Sequence, residues 1–327
     1  MKKKTSIMFV FFLTLAVSWL TVTMDQAISA EVKTIVAAKA SKAPISLDDP
    51  LWQKTKPVDV PFAGKEKFAG KNTSVTTFAI YTDTEIYFLF KWNDATHSIT
   101  KGAWQFDGEK WAHQKGDEDR ISLLFEINRI NNFATKGCAI TCHGPAGAPA
   151  KEFKFATASA AEKGDLWHWK AVRSDPYKSA DDGWLTVAGE KTGRKDDVGG
   201  GGDVRNETTD KTKPKWMQDP ARKPSVPGIL LAEDGIEITD YSIFKANDVI
   251  TYRLPQKPSG SRGDVKAESR YRDGGWMVML SRKLETANDD DVAFNVRKKY
   301  SFAMALFDDS SDWDSYDSES LILEFGR

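Results

Sequence analysis

Val75-Thr76-Thr77-Phe78-Ala79-Ile80-Tyr81 leads through Thr82-Asp83-Thr84 into Glu85-Ile86-Tyr87-Phe88-Leu89-Phe90-Lys91-Trp92. Both flanking runs are rich in β-branched and aromatic residues, and the three residues between them are polar turn formers. Successive side chains of a strand point to opposite faces, so the alternation in the first run gives it one face to bury. The stretch therefore predicts an antiparallel hairpin. Working outward, Arg120–Glu126, Trp167–Val172, Gly235–Tyr241, Trp276–Ser281 and Tyr300–Phe307 read as further strands. Short strands separated by turn residues predict an all-β chain folded as an antiparallel β-sandwich. Helical patterns are scarce, and Ala156–Gly164 is the one short helix expected. The stretch from about 189 to 227 differs. It holds Gly199-Gly200-Gly201-Gly202 with many charges, prolines and little apolar periodicity, which predicts one long loop inserted in a single domain.

The start of the chain has the pattern of an export signal. Lys2, Lys3 and Lys4 precede a short apolar run from Ile7 to Leu20, and Ala27-Ile28-Ser29-Ala30 offers a cleavage point before Glu31. The run is shorter than the roughly 18–20 residues of a membrane span. Residues 1–30 are thus expected to be a cleaved signal peptide, residues 31–327 the mature domain, and the periplasm its location. No later segment is apolar enough to cross a bilayer. Removing residues 1–30 takes three lysines from 46 basic side chains and one aspartate from 47 acidic ones, which leaves 43 against 46, a net of −3. Such a balance gives no footprint for nucleic acid or an anionic membrane. Eleven tryptophans and eighteen phenylalanines are ample for a large core, whereas two cysteines are too few for a disulfide scaffold.

Both cysteines fall in Cys138-Ala139-Ile140-Thr141-Cys142-His143, with Gly137 and Gly144 on either side. Two thiols directly ahead of a histidine can add to the two vinyl groups of a haem, and the imidazole is then held beneath the iron. The usual attachment run has two residues between the cysteines, and this one has three. The expected cofactor is one covalent haem c, held by Cys138 and Cys142 with His143 as the proximal iron ligand. The alternative use of the two thiols is a disulfide. Export suits covalent haem, which is attached outside the cytoplasm.

Two residues are candidates for the other side of the iron. His168 lies in Trp167-His168-Trp169, where alternation turns its ring away from both tryptophans. Met217, in Lys213-Pro214-Lys215-Trp216-Met217, could be carried over the haem by the long loop, and thioether ligation raises the potential. Met304, Met277 and Met279 alternate in apolar strands and are expected in the core, and His97 and His113 on the surface. A third possibility is an open sixth position. The acidic runs Asp289-Asp290-Asp291 and Asp308-Asp309 with Asp312 and Asp314 lack the spacing and glycine of a calcium-binding loop and are expected as solvated turns. The Gly-rich run lacks the lysine and hydroxyl residue of a phosphate loop, and no nucleophile triad is present.

Several segments together resemble the ethylbenzene-dehydrogenase-type haem-binding domain family. They are Asp49-Pro50-Leu51-Trp52, Ile86-Tyr87-Phe88 with Trp92-Asn93-Asp94, Asp119-Arg120-Ile121-Ser122-Leu123-Leu124-Phe125, the cysteine run, and Asp165-Leu166-Trp167-His168-Trp169-Lys170. Trp276 with Ser281-Arg282-Lys283-Leu284, and Tyr300-Ser301-Phe302-Ala303-Met304-Ala305, complete the series. The resemblance implies a β-sandwich with haem lodged at one end, working in electron transfer. In the better-known members the haem is b-type and non-covalent, held between a methionine and a lysine. This chain departs from them: His143 stands where the methionine would be, and Asp308–Glu319 lacks the lysine. The expectation is a periplasmic mono-haem c-type cytochrome transferring single electrons, either as a free carrier or as a subunit. Its partner would be another redox protein, such as a molybdenum oxidoreductase or a second cytochrome. The rival expectations are a haem sensor or haem enzyme with an open iron site, and a haem-free carbohydrate-binding sandwich whose tryptophans stack on sugars.

Overall fold

The hairpin expected at residues 75–92 is formed by β3 (Asn72–Tyr81) and β4 (Glu85–Asn93), which pair antiparallel with Phe78 opposite Leu89. The fold is that of a computed structural model and describes residues 32–142, 155–189 and 192–327. The signal-peptide reading of residues 1–30 lies outside the described residues. Before the hairpin come β1 (Lys33–Lys39) and β2 (Val58–Gly64). After it come β5 (Ala103–Phe106), β6 (Trp111–Gln114), β7 (Arg120–Asn128), β8 (Lys163–Lys170), β9 (Asp181–Leu185) and β10 (Arg194–Asp196). Three-residue strands follow at Asp203–Arg205 (β11), Trp216–Gln218 (β12), Gly235–Glu237 (β13), Val249–Thr251 (β14) and Arg253–Pro255 (β15). The chain closes with β16 (Lys266–Tyr271), β17 (Gly275–Lys283), β18 (Tyr300–Phe307), β19 (Tyr316–Ser318) and β20 (Leu321–Phe325). Two single-turn helices, α1 (Phe133–Lys136) and α2 (Ala139–Cys142), carry the chain through the cysteine run.

One large sheet runs in the order β10-β9-β8-β7-β18-β19-β2-β3-β4-β17-β16, with β1 and β20 paired alongside. It folds back on itself, because strands far apart in that order touch through their side chains. Phe88 of β4 meets Phe125 of β7, Trp167 of β8 and Phe302 of β18 at ring separations near 6 Å, and Trp169 of β8 meets Trp92 and Trp276. The two halves thus enclose one aromatic core, the defining feature of a sandwich. Met304 lies in that core, as expected. Among the described residues, no helix is long and apolar enough to cross a membrane.

Three expectations need correction. The sheet is mixed and not wholly antiparallel, since β1 runs parallel to both β20 and β3. No helix covers Ala156–Gly164: Thr157 bridges to Val187 and β8 begins at Lys163. The stretch 189–227 contains β10, β11 and β12, three-residue strands too short to show a pattern of their own, which pair with β9, β15 and β13.

Candidate functional site

Strand alternation sets the two faces of β8. Trp167 and Trp169 point into the sandwich and are fully buried there. Leu166 and His168 therefore point out of the layer formed by β9, β8, β7 and β18. On that outer face they meet Ser122 and Leu124 of β7, Leu185 of β9, and Ala305 and Phe307 of β18, around a cavity of about 240 Å³. The His168 ring is 3% exposed and lies 5.6 Å from the Phe307 ring, nearly parallel to it. Neither ring nitrogen has a hydrogen-bond partner. Two unmade hydrogen bonds in a buried imidazole are costly and call for an explanation. Burial, followed by Lys170, Arg194 and Arg120, drives the His168 pKa well below its ordinary value of 6.5. The ring is neutral at pH 7, with a lone pair directed into an apolar space. That is the state in which histidine binds a metal.

Cys138 belongs to the same face. It is buried among Leu124, Phe133, Leu185 and Ala303, with Leu166 and Phe155 against that cluster. Leu124, Leu166, Leu185 and Phe155 also line the His168 cavity, so thiol and imidazole share one apolar lining. Gly137 sets the approach. Its φ is +58°, and a Cβ there would lie 2.9 Å from the Ser320 backbone nitrogen, so the turn from α1 into Cys138 needs glycine. Thr141 accepts a backbone hydrogen bond from Ala156 at 3.0 Å, which ties α2 to the chain just beyond residue 154. Phe155, next to that bond, is on the cavity wall. His143 and the side chain of Cys142 lie outside the described residues.

The opposite rim is charged. Arg194 of β10 lines both the apolar cavity and an adjoining cleft that holds Lys170, Arg173 and Arg262. Its charge helps hold the carboxyls of Asp181 and Asp312 low. Lys170 pairs with Asp181, and burial lowers its pKa to about 8. Burial would raise Asp181, but Lys170 and Arg262 hold its carboxyl far below the usual carboxylate range. Arg120, fully buried on β7, pairs with Asp312 and lies 4.2 Å from the Phe307 ring centre. The apolar pocket thus opens onto a rim of mixed charge, where Arg194 and its cationic neighbours stand beside Asp181, Asp312 and Asp317.

The other candidates fall elsewhere. Met217 pairs with Ile236 across β12 and β13 and lines a separate cavity with Val226, Ile229 and Phe244, which shares no residue with that of His168. His97 and His113 are exposed, as expected; His97 stacks on Tyr271, and His113 meets Tyr252 edge to face. Asp291 is buried, not a solvated turn residue, and Asp312 serves Arg120. Arg194 was not legible in the sequence, because β10 sits inside a stretch that reads as loop.

The profile of the ethylbenzene dehydrogenase family matches residues 49–318, most of the described chain. The chain belongs to the ethylbenzene dehydrogenase family. Cys138, His168 and Arg194 all lie within the part that matches the family. No curated protein matches this family member. Among the solved structures that resemble it are two of a carbohydrate-binding module of family 9 from Caldicellulosiruptor kristjanssonii. The glucose complex has a TM-score of 0.37 at 9% identity, covering 90% of this chain and 96% of that one. The cellotriose complex has a TM-score of 0.36 at 8% identity, covering 90% and 95%.

Proposed function

We propose that this family member is an exported mono-haem c-type cytochrome that passes single electrons between redox proteins, with the cavity on the outer face of β7–β9 and β18 as its haem site. The observation that carries the reading is His168, a neutral buried imidazole without a hydrogen-bond partner, in an apolar cavity whose lining also packs against Cys138. Cys138 and Cys142 would hold the haem covalently, His143 would be the proximal ligand and His168 the distal one. Haem would supply the reversible one-electron chemistry, and the protein its burial, ligands and local charge.

The residues present fit that group. Leu124, Leu166, Leu185 and Phe307 exclude water from the ring region. Arg194, at the rim of the cavity, would pair with acidic substituents there. Its charge would favour the less positive state of the site and so a higher potential, whereas that of Arg120 is offset by Asp312. Met217 lies at a different cavity, and His168 is therefore the distal ligand we favour over it. A redox partner protein, a molybdenum oxidoreductase or another cytochrome, completes the proposal, as does a periplasmic location after removal of residues 1–30. A sugar-stacking role has little support, since Trp52, Trp92, Trp104, Trp167, Trp169 and Trp276 are buried.

The test is the intact mass of the denatured protein after export from a host with cytochrome c maturation. The expected mass is that of residues 31–327 plus one haem. A bare polypeptide two hydrogens lighter would mean a disulfide and would overturn the proposal.

A further inference from the structure

β8, β9 and β10 carry a second constellation at their other face. Asp165 of β8 and Asp182 of β9 point inward, beside Asp291 from the turn between β17 and β18, and Asp197 follows directly after β10. All four side chains are buried. Asp290 and Asp264 stand next to them, part-exposed. One cation is buried with this group. Arg282 donates to Asp165 at 2.8 Å and to Asp291 at 2.7 Å, and lies 3.5 Å from Asp182.

Arg282 fills the space between Asp165, Asp182 and Asp291 and cannot neutralise the rest. Ligand oxygens of Asp197, Asp290 and Asp291 form a second group, all within 4.8 Å of one another. No lysine or arginine pairs with Asp197 or Asp290 among the described residues. Asp182, 1% exposed, accepts no hydrogen bond at either oxygen, and Asp197, 4% exposed, accepts none at Oδ1. Asp197 receives one hydrogen bond from Ser261 at 3.2 Å, on its other oxygen. Buried carboxylate oxygens without donors are costly, and a polyvalent cation is the partner that satisfies several together.

We propose that Asp197, Asp290 and Asp291, backed by Asp182, form a divalent-cation site for calcium. An oxygen-only, carboxylate-rich donor set excludes the softer metals, and aspartates from two separate segments, Asp197 on one and Asp290 with Asp291 on the other, suit calcium's flexible coordination better than the tight octahedron of magnesium. The ion would join the end of β10 to the turn after β17. It would thereby brace the three strands whose opposite face carries His168, Leu185 and Arg194. The site does not depend on the haem reading.

The experiment is calorimetric titration of calcium chloride into the mature protein after chelation with EGTA, together with unfolding temperatures. Expected are one calcium ion per chain and a higher unfolding temperature at about 1 mM calcium. Asp290→Asn, at the part-exposed ligand, should weaken binding roughly tenfold, since affinity follows ligand charge. Asp289→Asn, one residue away and exposed, should leave it unchanged. The titration of the unsubstituted protein decides even if a variant misfolds. No heat and no thermal shift at that concentration would overturn the proposal, as would equal stabilisation by magnesium chloride or equal binding by Asp290→Asn.

Discussion

His168 shows how much one position can carry. Its neighbours Trp167 and Trp169 fill the core, and strand alternation leaves the imidazole on the far side with nothing to bond. If it ligates iron, His168→Ala in the haem-loaded protein should turn a low-spin spectrum high-spin, whereas Met217→Ala should leave it low-spin. The reverse pattern would place the ligand in the other cavity. The ring also has a pH signature in haem-free protein. Its folded pKa lies below the 6.5 of the unfolded chain, so its contribution to stability is whole above about pH 6.5 and is lost as pH falls toward the folded value. Urea midpoints should therefore fall less steeply between pH 7.5 and 5.5 in His168→Leu than in the unsubstituted protein. Alternation in the sequence is enough to give the direction of this side chain. What lies there is invisible locally, because Phe307 arrives from β18, a strand distant in sequence.

At the level of elements, β8 is the member on which both faces depend. Inward it supplies Trp167 and Trp169, which close the sandwich against Phe88, Trp92 and Trp276, and outward it supplies the cavity wall. Trp167→Ala removes a fully buried indole and should cost about 3–5 kcal/mol, read as a lower denaturation midpoint. It should also disturb the haem spectrum, because β8 would lose its seat on the core. Where alternation is clear, in β3, β4, β7, β17 and β18, sequence and structure agree to within a few residues. Where they part, at β10, β11 and β12, each strand is three residues long and held by a partner, not by its own pattern. β10 matters most, since it brings Arg194 to the rim of the cavity.

Across the whole molecule, the sheet is closed by charge as well as by rings. Arg282, on β17, reaches Asp165 of β8 and Asp182 of β9, strands at opposite ends of the sheet order. Removing it leaves those carboxylates buried and uncompensated, so Arg282→Leu should cost about 3–5 kcal/mol at pH 8 in EGTA. The loss should shrink toward pH 5. Burial already raises the Asp165 pKa to about 6, despite Arg282, and protonated carboxyls need no counter-charge. A loss that grows on acidification would contradict that account. The amino-acid sequence by itself determined the strand content, the hairpin at its centre, the facing of His168 and the pairing of both cysteines with a histidine, because these follow from spacing of two to six residues along one chain. Only the tertiary structure decided that Cys138 and His168 share a lining, that Met217 belongs elsewhere, and that Arg194 and the aspartates of β8, β9 and β10 converge. Those relations join separate segments of the chain, and they are set by the register with which one sheet folds over a common core.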